Sequence, residues 1–265
     1  MKLQRPRADS ALSLIELLVV IAIIAVLAAL LLLSVSQGKT RAQSVVCVNN
    51  VRELGQAMQS FVSAKRAYPL EVNPRTATVG SNPDHGFSWI ESLGKELGQD
   101  IKGRNLKGIW ICPAAAKKPG DADDQSGPYS CYGYNANGLA ALTDTNSLGL
   151  GGHFVRHYPS RPPAPAVAET EVATPSDMIG IGDGFMGNAG NYFDGAAWIA
   201  RMSPPQTNPV STAAVKTRHQ GKANVVFCDG HVESPKLKSL FEDTSDAALV
   251  RWNRDHLPHR EELSP

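Results

Sequence analysis

The residues best suited to chemistry in this chain are histidines and carboxylates in its C-terminal part. His219, Asp229 and His231 lie within 13 residues, and two imidazoles with one carboxylate can ligate a transition metal. His256 and His259 follow and could complete a zinc site. The alternative is that His219 and Asp229 hydrogen-bond across a hairpin and fix its turn. We favour this alternative and expect no enzyme, because no nucleophile–base–orienter set accompanies these residues.

Two acidic segments are weak candidates for a Ca²⁺ site. Asp121 and Asp123 open a segment rich in oxygen ligands, but it lacks the distal glutamate of an EF-hand. Asp183 and Asp194 bracket a loop rich in glycine and asparagine. Solvated turns explain both segments equally well. We therefore expect no metal and no cofactor, with Ca²⁺ as the open alternative.

The four cysteines, Cys47, Cys112, Cys131 and Cys228, contain no C-x-x-C pair. The usual zinc and thioredoxin-like spacings are therefore absent. Outside the cytoplasm an even count permits two disulfides, in any of three connectivities. Four buried thiols are the alternative.

Overall charge points to no nucleic-acid partner. The chain has 265 residues, and 26 Lys and Arg nearly balance 25 Asp and Glu, so no strong field attracts a polyanion. No P-loop is present, so the chain has no phosphate-binding loop of its own for ATP.

The N-terminal part contains a membrane-length apolar stretch with one acidic residue. Leu17–Leu33 is uninterrupted, and Leu12, Leu14 and Ile15 extend it to the length of a bilayer-spanning helix. A cleaved secretory signal has a shorter apolar core and a small-residue cleavage site after it. A plain anchor has no use for Glu16, which costs a few kcal/mol in lipid unless it is paired or near the interface.

The residues around Glu16 resemble a known processing signature. Residues 10–17 read Ser-Ala-Leu-Ser-Leu-Ile-Glu-Leu, which is similar to the prepilin signature of type IV pilins and type II secretion pseudopilins. The resemblance implies cleavage between Ala11 and Leu12, methylation of Leu12, and pairing of Glu16 with the N-terminal ammonium of a neighbouring subunit. Ala11 stands where the family usually has Gly, and Leu12 where it has Phe. Both changes preserve small size or apolarity, so we expect processing to be retained.

Beyond the apolar stretch the sequence keeps a helical rhythm. Apolar residues recur at spacings of three and four, at Cys47, Val51, Leu54, Met58 and Phe61, which predicts a helix with one face against a core. Short β-like runs follow, at residues 108–113, 130–135, 178–183 and 224–228.

These patterns predict an α+β fold of pilin type, in which a long N-terminal helix packs on an antiparallel sheet with long loops. The predicted parts are a leader (1–11), a transmembrane helix (12–36), an amphipathic helix (37–66) and a β-rich globular domain (67–265).

A second resemblance concerns the globular part. His219, nine residues and then Asp229-Gly230 resemble the H-X9-DG signature of one pseudopilin-like subfamily. Three further segments agree with that subfamily: Cys112-Pro113, residues 132–135 (Tyr-Gly-Tyr-Asn), and residues 252–259 (Trp-Asn-Arg-Asp-His-Leu-Pro-His).

The same resemblance bears on the disulfides. Cys47 and Cys112 occupy positions where the subfamily often has cysteine. Cys131 and Cys228 occupy positions where small residues are expected, and both lie on β-like runs. We therefore predict Cys47–Cys112 and Cys131–Cys228 pairs.

The resemblance to prepilins implies a structural subunit of a type II secretion or type IV pilus-like filament. Its implied partners are the prepilin peptidase/methylase, an inner-membrane platform protein and further copies of the chain. Its implied location is the inner membrane, in a single pass, with the globular domain in the periplasm or on the cell surface. One alternative is a membrane-tethered binding module sorted by the same pathway. Another is a surface metallohydrolase that uses the His/Asp residues.

Overall fold

The computed structural model describes residues 14–70, 88–101, 106–114, 131–139, 147–152, 165–184, 186–188, 191–193 and 218–263. Its α-helices are α1 (Leu14–Lys65), α2 (Ser88–Glu96), α3 (Leu237–Phe241) and α4 (Asp246–Leu249). Its strands are β1 (Tyr132–Tyr134), β2 (Ile179–Asp183), β3 (Met186–Asn188), β4 (Asn191–Phe193), β5 (Val225–Phe227) and β6 (Val232–Glu233). Short 3₁₀ helices cover Gly108–Trp110, Glu169–Glu171, Pro175–Asp177, Arg218–Gln220, Val250–Trp252 and Arg260–Glu262.

The main sheet has four antiparallel strands in the order β1-β2-β5-β6, and β3 and β4 form a separate antiparallel pair. β5 and β6 form the predicted hairpin. In its turn the Gly230 N–H donates to Phe227 O at 2.9 Å, and the Phe227 N–H donates to His231 O at 3.0 Å. Gly230 has a φ of 91°, a left-handed conformation that glycine adopts without steric cost.

The C-terminal part of α1 packs on one face of this sheet. Its buried apolar residues are Cys47, Val51, Leu54, Ala57, Met58 and Val62, and they share one apolar cluster with Ile181 and Val226 of the sheet. The predicted stripe is therefore confirmed, except that Phe61 is only partly buried.

The opposite face of the sheet is covered by the C-terminal elements. Val225 and Phe227 lie with α3, α4 and Trp252 in a second apolar cluster, because alternate residues of a strand point to opposite faces. Ile179 joins this second cluster, although Ile181 joins the first. The pairing of β2 with β5 shifts register between these two isoleucines, and a bulge of this kind changes the face on which following residues lie.

The predicted α+β class, with a long N-terminal helix and a small antiparallel sheet, is confirmed. One predicted β-like run was wrong: Gly108–Trp110 forms a 3₁₀ helix, and no strand is assigned within the described residues 106–114. The chain forms two compact units, Met1–Ala42 and Gln43–Pro265. The second unit is called the head below.

Candidate functional site

The predicted processing site lies at the start of α1. Ala11 and Leu12 fall outside the described residues, and Glu16 is the third residue of the helix. Its predicted pairing with a neighbouring subunit stays a prediction.

The helix after Glu16 exposes its apolar side chains. Between residues 14 and 35 the large apolar side chains described leave from 48% (Val19) to 79% (Leu14) of their surface exposed. A helix satisfies its own backbone hydrogen bonds, so such a surface is stable in lipid or against other apolar helices. By length and composition α1 can cross a membrane.

In the head, a buried cluster forms around the first histidine of the H-X9-DG signature. His219 adopts a left-handed backbone conformation (φ 49°, ψ 31°), and its side chain is 1% exposed. Its Nε2 atom lies 3.3 Å from Cys112 Sγ and 3.4 Å from Asp183 Oδ2. Cys112 forms a disulfide with Cys47, with a Cα–Cα distance of 5.3 Å. These four residues are called the disulfide cluster below.

One face of α1 holds the segment that carries Cys112. Cys47 forms the covalent link, and the two neighbouring turns of the helix add hydrogen bonds. Gln43 Nε2 donates to Pro113 O at 3.0 Å, and Asn50 Nδ2 donates to Ile111 O at 3.1 Å. Residues 43, 47 and 50 follow the spacing that places side chains on one helix face.

Asp183 is the last residue of β2 and is completely buried. Its Oδ2 accepts hydrogen bonds from the backbone N–H of Asn224 at 2.7 Å and from the Asn224 side-chain amide at 3.1 Å. These bonds stabilise the buried carboxylate, which would otherwise carry a large desolvation cost.

The predicted hydrogen bond between His219 and Asp229 was wrong. His219 contacts Asp183, whose partner Asn224 precedes β5, whereas Asp229 follows β5 and donates its N–H to Pro175 O. The two signature residues therefore lie at opposite ends of β5.

Asp229 instead organises its own turn. Its Oδ1 accepts the His231 N–H at 3.0 Å and lies 2.6 Å from His231 Nδ1. Partial burial raises the pKa of Asp229, but the hydrogen bonds from His231 outweigh this effect and hold the pKa below its ordinary value.

The remaining metal candidates do not gather into one site in the part of the chain that the structure describes. His231 pairs with Asp229 and Glu233, whereas His256 lies near Asp177. His259 pairs with Asp255 and Glu261. The Ca²⁺ candidates Asp121, Asp123 and Asp194 fall outside the described residues. Asp183, the fourth, belongs to the disulfide cluster.

The predicted Cys47–Cys112 disulfide is confirmed, but the Cys131–Cys228 disulfide was wrong, since neither residue is disulfide-bonded. Strand order explains the error. Cys131 precedes β1 and Cys228 follows β5, and β2 lies between these strands. Two strands with a third strand between them lie about 9–10 Å apart, whereas a disulfide needs its two Cα atoms within about 7 Å of each other. The backbones of the two cysteines also form hydrogen bonds at opposite ends of β2. Cys131 O accepts from the Gly184 N–H, and the Cys228 N–H donates to Met178 O.

Sequence reasoning missed the contact of His219 and Asp183 with the disulfide. Asp183 was considered only as a Ca²⁺ candidate, and His219 was paired with the wrong aspartate. Asp183 ended one β-like run and His219 preceded another, but nothing in their spacing indicated that they meet Cys112.

Comparison with known proteins supports the interpretation of the N-terminal segment. Residues 6–32 match the prokaryotic N-terminal methylation motif. The N-terminal segment is therefore of the prepilin or pseudopilin type, and the motif implies processing by prepilin peptidase and pilin-type assembly. Together with α1, it fits a single-pass membrane anchor. No curated protein and no solved structure matches the chain. The resemblance to the H-X9-DG subfamily stays a prediction.

Proposed function

We propose that this chain is a structural subunit of a type II secretion pseudopilus or a type IV pilus-like filament, and that it is not an enzyme. One observation carries the proposal: the methylation motif at residues 6–32 overlaps the start of a helix whose apolar side chains are exposed. A helix of this kind anchors the subunit in the bilayer before assembly and packs against neighbouring helices afterwards.

Glu16 is the residue that gives this helix its register in the filament. After cleavage between Ala11 and Leu12, Glu16 is the fifth residue of the mature chain. A carboxylate among apolar helices is stable when a cation lies against it. The methylated ammonium of Leu12 on a neighbouring subunit supplies that cation, and each such pair fixes the axial position of one subunit on the next.

The proposed partners are the prepilin peptidase/methylase, an inner-membrane platform protein and further copies of this chain. The head lies outside the cytoplasm, in the periplasm or on the cell surface. The Cys47–Cys112 disulfide supports this location, because disulfides persist mainly in oxidising compartments.

Processing and assembly can be tested together. We expect the intact mass of the membrane-extracted chain to correspond to a start at Leu12 with one added methyl group. We expect Glu16→Ala to insert into the membrane normally and to be absent from sheared filaments. The matched control is Glu53→Ala, which changes an exposed carboxylate on the same helix, within the head.

Two outcomes would contradict the proposal. One is a native chain that keeps its first eleven residues, and the other is Glu16→Ala in filaments at the wild-type level. A correctly processed wild-type chain that is absent from filaments would instead favour the membrane-tethered binding module.

A further inference from the structure

We propose that the disulfide cluster is also a metal site: when Cys47 and Cys112 are reduced, their thiolates bind one Zn²⁺ together with His219 and Asp183. This site is independent of filament assembly. It arises from four donors of the types that zinc prefers, all fully or almost fully buried.

Three of the donors already lie close enough together to share one ion, whereas Asp183 contacts His219 and has to shift towards the sulfurs to complete the set. The ligand atoms of Cys47, Cys112 and His219 all lie within 4.8 Å of one another. His219 Nε2 is 3.3 Å from Cys112 Sγ and 3.4 Å from Asp183 Oδ2. Zinc bonds of 2.0–2.3 Å at tetrahedral angles place neighbouring ligand atoms roughly 3.3–3.8 Å apart. Breaking the disulfide lets the two sulfurs separate to this range.

The Asp183 contact is long for a direct hydrogen bond, whereas 3.3 Å from His219 Nε2 to Cys112 Sγ is an ordinary hydrogen-bond length for sulfur. An N–H···O bond has its usual length between 2.7 and 3.2 Å, so 3.4 Å from Nε2 to Asp183 Oδ2 leaves the imidazole weakly bonded to that carboxylate. The other ring nitrogen, Nδ1, is buried and has no hydrogen-bond partner among the residues that the structure describes. A metal ion at Nε2 would bind the lone pair of that nitrogen and contact the carboxylate, and the ring proton would then lie on Nδ1.

Charge balance also favours the ion. The reduced cluster without metal carries one negative charge, on Asp183, if both thiols and His219 are neutral. Zn²⁺ displaces the two thiol protons, so the cluster again carries one net negative charge. The net charge of the cluster is therefore the same with and without the ion. An added net charge in a buried site would be costly.

The chemistry requires a reductant. A dithiol transfers two electrons and two protons to the Cys47–Cys112 bond, giving two thiols, and is itself oxidised to a disulfide. Zn²⁺ then binds the two sulfurs and releases both protons to solvent. Because the same sulfurs form either the S–S bond or the metal bonds, the oxidised and zinc-bound forms exclude each other.

The test uses the full chain in detergent. The protein is unfolded, reduced, refolded without oxygen and checked for four thiols by mass, and half of it is then reoxidised. Both halves are incubated with Zn²⁺, or with Co²⁺ as a spectroscopic probe, and passed through a desalting column. We expect one zinc per reduced chain and none per oxidised chain. With Co²⁺ we expect the visible bands of a tetrahedral ion and thiolate charge-transfer bands, in the reduced sample only.

Thiol protection locates the metal. In the reduced chain, zinc should slow alkylation of Cys47 and Cys112 at least tenfold and leave the rates at Cys131 and Cys228 unchanged. Adventitious binding at exposed histidines such as His231 would occur equally in the oxidised chain. Equal zinc content in the two halves, or no zinc in either, would overturn the proposal without any mutation.

Variants test the two non-sulfur ligands. We expect His219→Ala and Asp183→Asn each to weaken zinc binding at least tenfold, whereas Cys131→Ser, which removes a buried thiol elsewhere, should bind zinc like the wild type. Circular dichroism checks that each variant refolds. A folded variant of either ligand with wild-type affinity would exclude the four-donor site. If a variant does not refold, the alkylation rates of Cys47 and Cys112 in the wild-type chain, with and without zinc, decide whether the metal binds there.

Discussion

The four cysteines are in two chemical states, two as a disulfide and two as thiols. Cys47 and Cys112 are joined, whereas Cys131 and Cys228 are buried outside any disulfide. Burial raises the pKa of the Cys228 thiol to about 12, although its hydrogen bond with Tyr68 lowers it. Because the thiolate is the reactive form, Cys228 is chemically inert in the folded head.

Counting thiols tests this assignment. We expect the chain, unfolded without reductant, to take up two alkyl groups, at Cys131 and Cys228, and four after reduction. Cys131→Ser should take up one fewer in both conditions. Intact and peptide masses give the counts. A chain that takes up none before reduction would show that the second disulfide forms after all.

At the scale of elements, the packing of α1 on the sheet depends on two glycines. A Cβ atom on Gly55 would overlap the side chain of Val226 in β5. A Cβ atom on Gly180, in β2, would lie 2.7 Å from Met58 Cε. The helix and sheet therefore approach each other more closely than larger residues would allow.

Gly55→Ala should destabilise the head. Alanine is favoured over glycine within a helix by about 1 kcal/mol, but overpacking a core costs about 1–3 kcal/mol, and at Gly55 we expect the second effect to be larger. Thermal unfolding of the purified chain should show a lower midpoint than the wild type. Gly38→Ala is the matched control, since no atom lies within 4 Å of its added Cβ. An unchanged or higher midpoint for Gly55→Ala would show that Val226 moves aside at little cost.

Local patterns were enough to predict much of the element content. The spacing of Cys47, Val51, Leu54 and Met58 predicted the packed face of α1, and the apolar runs predicted β1, β2 and β5. The pair β3–β4 was not predicted, because its residues were read as a loop rich in glycine and asparagine.

Long-range pairing could not be predicted from the same patterns. Between β1 and β2 lie 44 residues, from 135 to 178, and nothing in either strand specifies its neighbour. The Cys131–Cys228 error and the wrong partner for His219 both follow from this, since strand order decides which side chains meet.

For the whole molecule, the buried core belongs to a single unit. The buried residues that the structure describes begin at Cys47, and the second compact unit begins at Gln43. The part of α1 that contributes to the core therefore lies within the head, separate in sequence from the apolar residues that precede it.

A truncated chain that starts at Gln43 should fold. It keeps Cys47, Val51, Leu54 and Met58, so we expect a soluble protein with the Cys47–Cys112 disulfide and one cooperative thermal transition. A chain that starts at Arg66 loses all four, and each fully buried apolar side chain contributes about 1.5–3 kcal/mol, so we expect it not to fold. Circular dichroism and gel filtration compare the two. Aggregation of the longer chain would show that the head needs residues before Gln43.

The Cys47–Cys112 link has a mechanical consequence. Cys47 is the first buried residue of α1 in chain order, so tension transmitted along that helix from a filament reaches a covalent bond before it reaches the contacts of Val51, Leu54 and Met58. An oxidised subunit would resist extraction of its helix under load, whereas a reduced one without bound metal would rely on hydrogen bonds and apolar contacts alone.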